Sequence, residues 1–259
     1  MNFSPLNFNN SLELSEEKLK SWGKTLAVAP HPDDEVLGCG GTLALLSKLG
    51  VETAVMWVSD GGASHPNSRA YPNQKLVNLR EAEAKMALDK LGVGRKNSYF
   101  LRLPDGDLPF PGDQRFESAV QAVRRVLEAF EPKTLLLPWR RDPHRDHRAA
   151  WQLLSHASDD PDILRFEYLV WSHDNTEPQE WPQNTEASGF VVDVSTMQNR
   201  KKEAIAAHAS QTTRLIKDDP EGFIISPETL ANSERPYEAW IAPFCSIPEV
   251  AQRGRNREE

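Results

Sequence analysis

Thr25-Leu26-Ala27-Val28-Ala29-Pro30-His31-Pro32-Asp33-Asp34-Glu35 is the stretch on which the reading of this chain turns. Its first five residues form an apolar run of buried-strand length, and Pro30 and Pro32 then interrupt regular pairing. Leu43, Leu45, Leu46 and Leu49 favour a helix that begins after Asp34 and stops at Gly50. A strand, a polar corner and a helix thus follow one another within about 25 residues, the rhythm of a βα unit.

The same rhythm continues outward. Residues 51–58 read as a second buried strand, and Ser59-Asp60-Gly61-Gly62 opens a polar loop reaching about residue 74. Leu79, Ala82, Met86, Ala87 and Leu91 recur at helical spacing, with Gly92 as the stop. Residues 97–103 read as a strand ended by Pro104-Asp105-Gly106-Asp107. Phe116, Val120, Val123, Val126 and Leu127 mark one helical stripe. Thr134-Leu135-Leu136-Leu137 is a further buried strand closed by Pro138, and Ala149, Ala150, Leu153 and Leu154 place a helix after Asp146. Such alternation predicts a Rossmann-like α/β fold, a mostly parallel sheet with helices on both faces. Beyond residue 160 the spacing predicts strands at 165–171 and 190–194, a long helix at 197–213 and a late edge strand at 237–241.

The composition fits one such domain. The chain has 259 residues, 39% of them hydrophobic and 26% charged, with 30 Lys+Arg against 38 Asp+Glu for a net charge of -8. These values describe a globular chain and exclude an acidic disordered tract. A negative balance argues against a nonspecific grip on nucleic acid. The most apolar stretch, 36–49, is too short to span a bilayer, so no integral membrane contact is expected. Residues 1–259 are read as a single α/β domain, with 1–22 an N-terminal extension and 247–259 a polar tail. Two cysteines, Cys39 and Cys245, are too few for a disulfide framework, and the start of the chain lacks a signal-peptide pattern; a reducing compartment, the cytoplasm, is expected. Self-association is left open. A chain of this size buries about 70–75% of its extended surface, so a metal here needs a functional reason.

Two polar clusters follow strands: His31-Pro32-Asp33-Asp34-Glu35 and Asp142-Pro143-His144-Arg145-Asp146-His147. Loops leaving the carboxyl ends of parallel strands share one rim, so the clusters can converge. His31 and Asp34 can face one ion, and one histidine of the second cluster completes three ligands with a position left for water. Asp33 is better kept free as a base beside that water. His144, Asp146 and Glu35 suit an outer ring of hydrogen bonds. The same acidic residues also suit helix caps, and the same donor set also suits another divalent transition metal. Gly38-Cys39-Gly40-Gly41 matches neither phosphate-binding glycine pattern, so no nucleotide cofactor is expected; these glycines instead permit close packing of the early helix on the sheet.

The chain resembles the LmbE-like, or PIG-L, family of metal-dependent N-deacetylases. Ala29-Pro30-His31-Pro32-Asp33-Asp34-Glu35 looks like the family's first motif, and His144-Arg145-Asp146-His147 looks like its H-x-D-H motif, with Arg145 where proline is common. The resemblance runs from about residue 26 to residue 211. It implies His31, Asp34 and His147 as zinc ligands, Asp33 as general base, His144 as a group supporting or polarising the reacting centre and Asp146 as a residue that helps to orient the site. Arg80, in Asn78-Leu79-Arg80-Glu81-Ala82-Glu83, resembles an arginine associated with substrate recognition; as a lone helical residue it would sit exposed and pair with Glu83. Arg200-Lys201 and His208-Ala209-Ser210-Gln211 resemble a late R-K…H-x-S-Q pattern, which implies His208 as an acid or oxyanion-side group. Asp105-Gly106-Asp107 looks like the family's D-G segment, without a chemical role assigned to either aspartate.

The implied reaction is zinc-dependent removal of the acetyl group from an N-acetylglucosamine-containing molecule. The implied partner is thus an N-acetylated aminosugar or related small molecule. The loops at 61–74 and 172–188 are candidates for setting the substrate, and Trp139, Trp171 and Trp181 for a wall facing the sugar. Different readings are a non-hydrolytic metal-dependent binding protein and a hydrolase of another N-acyl compound.

Overall fold

The computed structural model describes residues 5–8, 11–171 and 180–243. Cys245, the arginines of the tail and residues 172–179 of the second candidate loop lie outside these. The elements run β1 (Leu12–Glu13), α1 (Glu16–Lys20), β2 (Thr25–Ala29), α2 (Asp34–Lys48), β3 (Thr53–Ser59), α3 (Asn73–Leu91), β4 (Ser98–Leu103), α4 (Phe116–Phe130), β5 (Thr134–Pro138) and α5 (Arg145–Ala157). They continue with β6 (Leu164–Tyr168), β7 (Ala187–Asp193), α6 (Gln198–Ala207), α7 (Ala209–Thr212), α8 (Pro227–Ser233) and β8 (Tyr237–Pro243).

The described strands form one sheet in the order β1-β7-β8-β6-β5-β2-β3-β4. Every neighbouring pair is parallel except β8 with β6 and with β7. Alternation along β2 and β3 divides the core. Ala27, Ala29, Val55 and Trp57 face one cluster, where α2, α3 and α6 pack on one another. Leu26, Val28, Ala54, Met56 and Val58 face a second cluster, under α4 and α5. Burial on both faces explains why these strands read as continuous apolar runs. The sheet grows in one direction from β2 to β4 and then returns to the other side of β2 with β5. The chain therefore reverses between β2 and β5, where open α/β sheets form their ligand crevice.

Helix α2 crosses the sheet closely. A Cβ on Gly38 would lie 2.3 Å from the Tyr168 ring, and one on Gly41 2.7 Å from Val194. The helix is also broken at Cys39 (φ -142°, ψ 15°). Beyond the break, Glu238 of β8 accepts the Gly41 amide at 2.7 Å and the Thr42 amide at 2.8 Å. The Lys201 ammonium lies 2.6 Å from the same carboxylate and donates to the Leu37 carbonyl at 3.2 Å. This buried pair serves as an internal cap, replacing partners that a continuous helix would supply.

Three expectations change. The late strand is not at an edge: β8 pairs along β7 from Asp193↔Tyr237 onward and meets β6 at Tyr168↔Trp240. The expected strand at 165–171 ends at Tyr168, where its pairing with β5 reaches Pro138. The long helix at 197–213 splits at His208, whose ψ of 57° leaves the helical range. One further detail differs: Met86, counted in a buried stripe, is exposed. Leu12–Glu13, within the N-terminal segment, joins the sheet beside β7.

Candidate functional site

The corners after β2, β3, β4, β5 and β6 all open on the same rim. His31, Asp33, Ala63, Ser64, Arg80, Asp105, Gly106, His144, Trp171 and Phe223 line a cavity of about 360 Å³ there. The first cluster makes its tight corner partly through Asp33, whose φ of 145° is strongly unfavourable for a residue with a Cβ. Backbone strain of this kind costs about 1–3 kcal/mol and persists only where neighbours enforce it. Here they do so from two directions. Glu35 Oε2 accepts the Asp33 amide at 2.9 Å. Arg80 donates to Asp33 Oδ2 at 3.0 Å, to the Pro32 carbonyl at 2.7 Å and to the Gly61 carbonyl at 2.8 Å. Arg80 is 2% exposed, so the reading of an exposed helical arginine paired with Glu83 does not describe it. Glu83 instead receives the Ser210 amide and hydroxyl.

Two imidazoles converge on Asp34. His31 Nδ1 lies 3.1 Å from Asp34 Oδ2, and His147 Nε2 lies 3.1 Å from the same oxygen. The opposite ring nitrogens face other carboxylates. His31 Nε2 is 3.2 Å from Asp105 and 3.3 Å from Asp146, while His147 Nδ1 is 3.6 Å from Asp142. Metal-binding histidines characteristically use one nitrogen for the ion and give the other to a carboxylate. Asp34 Oδ1 is buried without a hydrogen-bond partner among the described residues, an unmet acceptor that suits a cation. The His/Asp cluster can therefore chelate a divalent metal. His31, His144 and His147, and likewise His31, Asp105 and Asp146, also bring ligand atoms within 4.8 Å of one another.

The electrostatics follow from burial and charge pairing. Burial works against protonating His31, but hydrogen bonds to Asp105, Asp146 and Asp34 outweigh it and raise its pKa well above the ordinary value. His147 is raised too, with Asp34 and Asp142 overcoming burial. Burial pushes Asp34 up, yet His147 and His31 hold it below the usual carboxylate range. Asp33 moves oppositely: burial and the Asp34 charge outweigh Arg80 and bring it to about 7. His144 is lowered to about 4 by burial and by the charges of His147 and His31. Its Nδ1 accepts the Asp146 amide at 3.2 Å, so the proton of the neutral ring sits on Nε2. Asp146 is itself fixed by the Gly106 amide at 2.7 Å and the Leu108 amide at 3.3 Å.

The remaining sequence candidates divide. Trp171 lines the cavity, its ring 5.7 Å from Phe223, and its indole N–H lies 3.1 Å from His147 Nε2. Trp139 is fully buried in a separate cluster, and Trp181 packs edge-on to Phe8. His208 is fully buried and sits 2.9 Å from Glu35 Oε1, outside the cavity lining. Asp107 turns away to Arg115 at 2.8 Å. Sequence reasoning left Asp105, Asp142 and Phe223 without a role; the D-G turn after β4 and the aspartate two residues before His144 were the available signals.

Comparison with known proteins identifies the family of the chain. A family model described as GlcNAc-PI de-N-acetylase (PIG-L) matches residues 26–158. The chain belongs to the PIG-L family, the LmbE-like deacetylases. It is 27% identical over 197 residues to the diacetylchitobiose deacetylase of Thermococcus kodakarensis, covering 73% of this chain and 70% of that protein. It is also 27% identical over 237 residues to a probable N-acetyl-alpha-D-glucosaminyl L-malate deacetylase 2 of Bacillus anthracis, covering 87% and 98%. The solved structure of N,N'-diacetylchitobiose deacetylase from Pyrococcus horikoshii shares the fold, with a TM-score of 0.63, 24% identity and coverage of 85% and 84%. Family and His/Asp cluster together support a metal-dependent deacetylase acting on an N-acetyl compound. No helix among the described residues is long and apolar enough to cross a membrane.

Proposed function

We propose that the protein is a zinc-dependent N-deacetylase of N-acetylglucosamine-bearing small molecules, working in the cytoplasm and releasing acetate and a free amine. The observation that carries this reading is the convergence of His31 Nδ1 and His147 Nε2 on Asp34 beside a cavity-lining Asp33. His31, Asp34 and His147 would hold the ion, with Asp105, Asp146 and Asp142 orienting the two imidazoles. A divalent ion bound there would acidify water and polarise the acetyl carbonyl.

The protein's own groups supply the rest. Asp33, held at the cavity by Arg80 and Glu35, takes a proton from the attacking water as general base. Neutral His144 donates from Nε2 to the oxygen that becomes negative during attack, a donor fixed in advance by the Asp146 amide. Asp33 then returns the proton to the departing amine. Trp171 and Phe223 offer an apolar wall to one face of the sugar, while Arg80 keeps Asp33 aimed into the cavity.

The test is acetate release from N-acetylglucosamine, diacetylchitobiose and N-acetylglucosaminyl malate, before chelation, after it and after zinc is restored. Release that disappears with chelation and returns with zinc supports the proposal. Tight zinc binding without release from any of these compounds contradicts it and favours a binding protein. Release only from acyl compounds lacking a sugar redirects the substrate class.

A further inference from the structure

The grip on Asp33 extends one residue further than the cavity. Glu35 Oε2 accepts both the Asp33 amide and the Trp57 indole N–H, each at 2.9 Å. Its other oxygen, Oε1, lies 2.9 Å from His208 Nε2. A carboxylate only accepts, so His208 Nε2 carries the proton of this bond. Asp33 is 3% exposed and Glu35 and His208 are fully buried. The interruption between α6 and α7 falls at His208 itself and turns its imidazole inward.

We propose that Glu35 and His208 form a positioning pair: His208 fixes the Glu35 carboxylate, which pins the strained Asp33 amide and so aims the Asp33 side chain into the cavity. This inference rests on the deacetylase reading with Asp33 as base, and it assigns His208 no contact with substrate. Three observations carry it. Asp33 has a φ of 145°, a conformation that relaxes unless held. Its two holds are complementary, Arg80 on the carboxylate side and Glu35 on the amide side. His208 does not line the cavity, and its Nδ1 is buried with no partner among the described residues. The ring is thus set back from the residues that line the cavity, while its contact with Glu35 is direct.

The test compares His208→Gln, His208→Leu and Glu35→Gln in the full, zinc-loaded chain. Glutamine keeps an N–H for Glu35 Oε1 but cannot serve as an acid. His208→Gln is expected to keep kcat within about threefold and leave the shape of the pH–rate profile unchanged. His208→Leu should lower kcat at least about tenfold, as small misplacements of a reacting group do, with KM and zinc content unchanged. The Asp33 amide proton, followed by NMR without turnover, should move upfield in His208→Leu and Glu35→Gln and stay in place in His208→Gln.

A His208→Gln variant as impaired as His208→Leu, or one missing a limb of the pH profile, would overturn the proposal in favour of proton transfer. Wild-type kcat in His208→Leu, or an unmoved Asp33 amide, would also overturn it. If His208→Leu does not fold, Glu35→Gln decides: reduced kcat with unchanged KM supports the pair, and wild-type kcat refutes it. A wild-type protein that releases no acetate defeats the deacetylase reading instead, and the amide shifts then judge the grip on Asp33 alone.

Discussion

Replacing Lys201 with methionine isolates the device that holds the break in α2. Lys201 and Glu238 side chains are 2% and 3% exposed and 2.6 Å apart, so neither charge has water to fall back on. Methionine fills much of the lysine volume but leaves Glu238 a buried anion with only the Gly41 and Thr42 amides. Breaking a buried pair from one side costs about 3–5 kcal/mol. For a domain of this size each kcal/mol lowers Tm by about 2–4 °C, which gives a fall of roughly 6–20 °C. Calorimetry on Lys201→Met, Glu238→Gln and the double variant measures this directly, and the double variant should lose clearly less than the sum of the singles. A Lys201→Met protein within about 1 kcal/mol of the parent would refute the idea that this pair caps the broken helix.

Further expectations concern the site and its support. Asp33→Asn should reduce kcat by about 10²–10⁴-fold while zinc content stays the same, read by turnover and metal analysis; unchanged turnover removes Asp33 as the base. Trp171→Phe deletes an N–H that competes for His147 Nε2, so chelator competition should show zinc binding tightened by about 0.5–1.5 kcal/mol; weaker binding contradicts that competition. Glu167, raised from 4.5 to about 7 by burial against the pull of Arg140 and Trp151, gives a pH signature. Its folded pKa exceeds its unfolded one, so it favours folding below pH 4.5, and that contribution fades as pH rises to about 7. Denaturation across this window should show a decline on the order of 3 kcal/mol that Glu167→Gln flattens; an equal slope in both proteins excludes this origin.

The sequence made the centre of the molecule legible because its signals are local. An apolar run ending at Pro30 identifies β2, and the same logic at Pro138 identifies β5, so the two polar clusters could be placed on one rim. What escaped reading depends on partners far along the chain. Arg80 looks like a surface residue until the strained Asp33 turns its carboxylate toward it. His208 looks like part of a continuous helix because nothing near it announces a break. The break serves a contact with Glu35, 173 residues away. Asp105 and Asp142 are ordinary turn residues by composition and gain meaning only once His31 and His147 point at them. The place of β8 inside the sheet likewise follows from its pairing with β6 and β7, not from its own pattern.

The most direct measurement is anomalous diffraction at the zinc edge from crystals of the zinc-loaded protein. One ion is expected, bound by His31 Nδ1, an Asp34 carboxylate oxygen and His147 Nε2 at about 2.0–2.2 Å from each, with Asp33 outside the coordination sphere. An ion instead held by His31 Nε2 with Asp105 and Asp146 would contradict it.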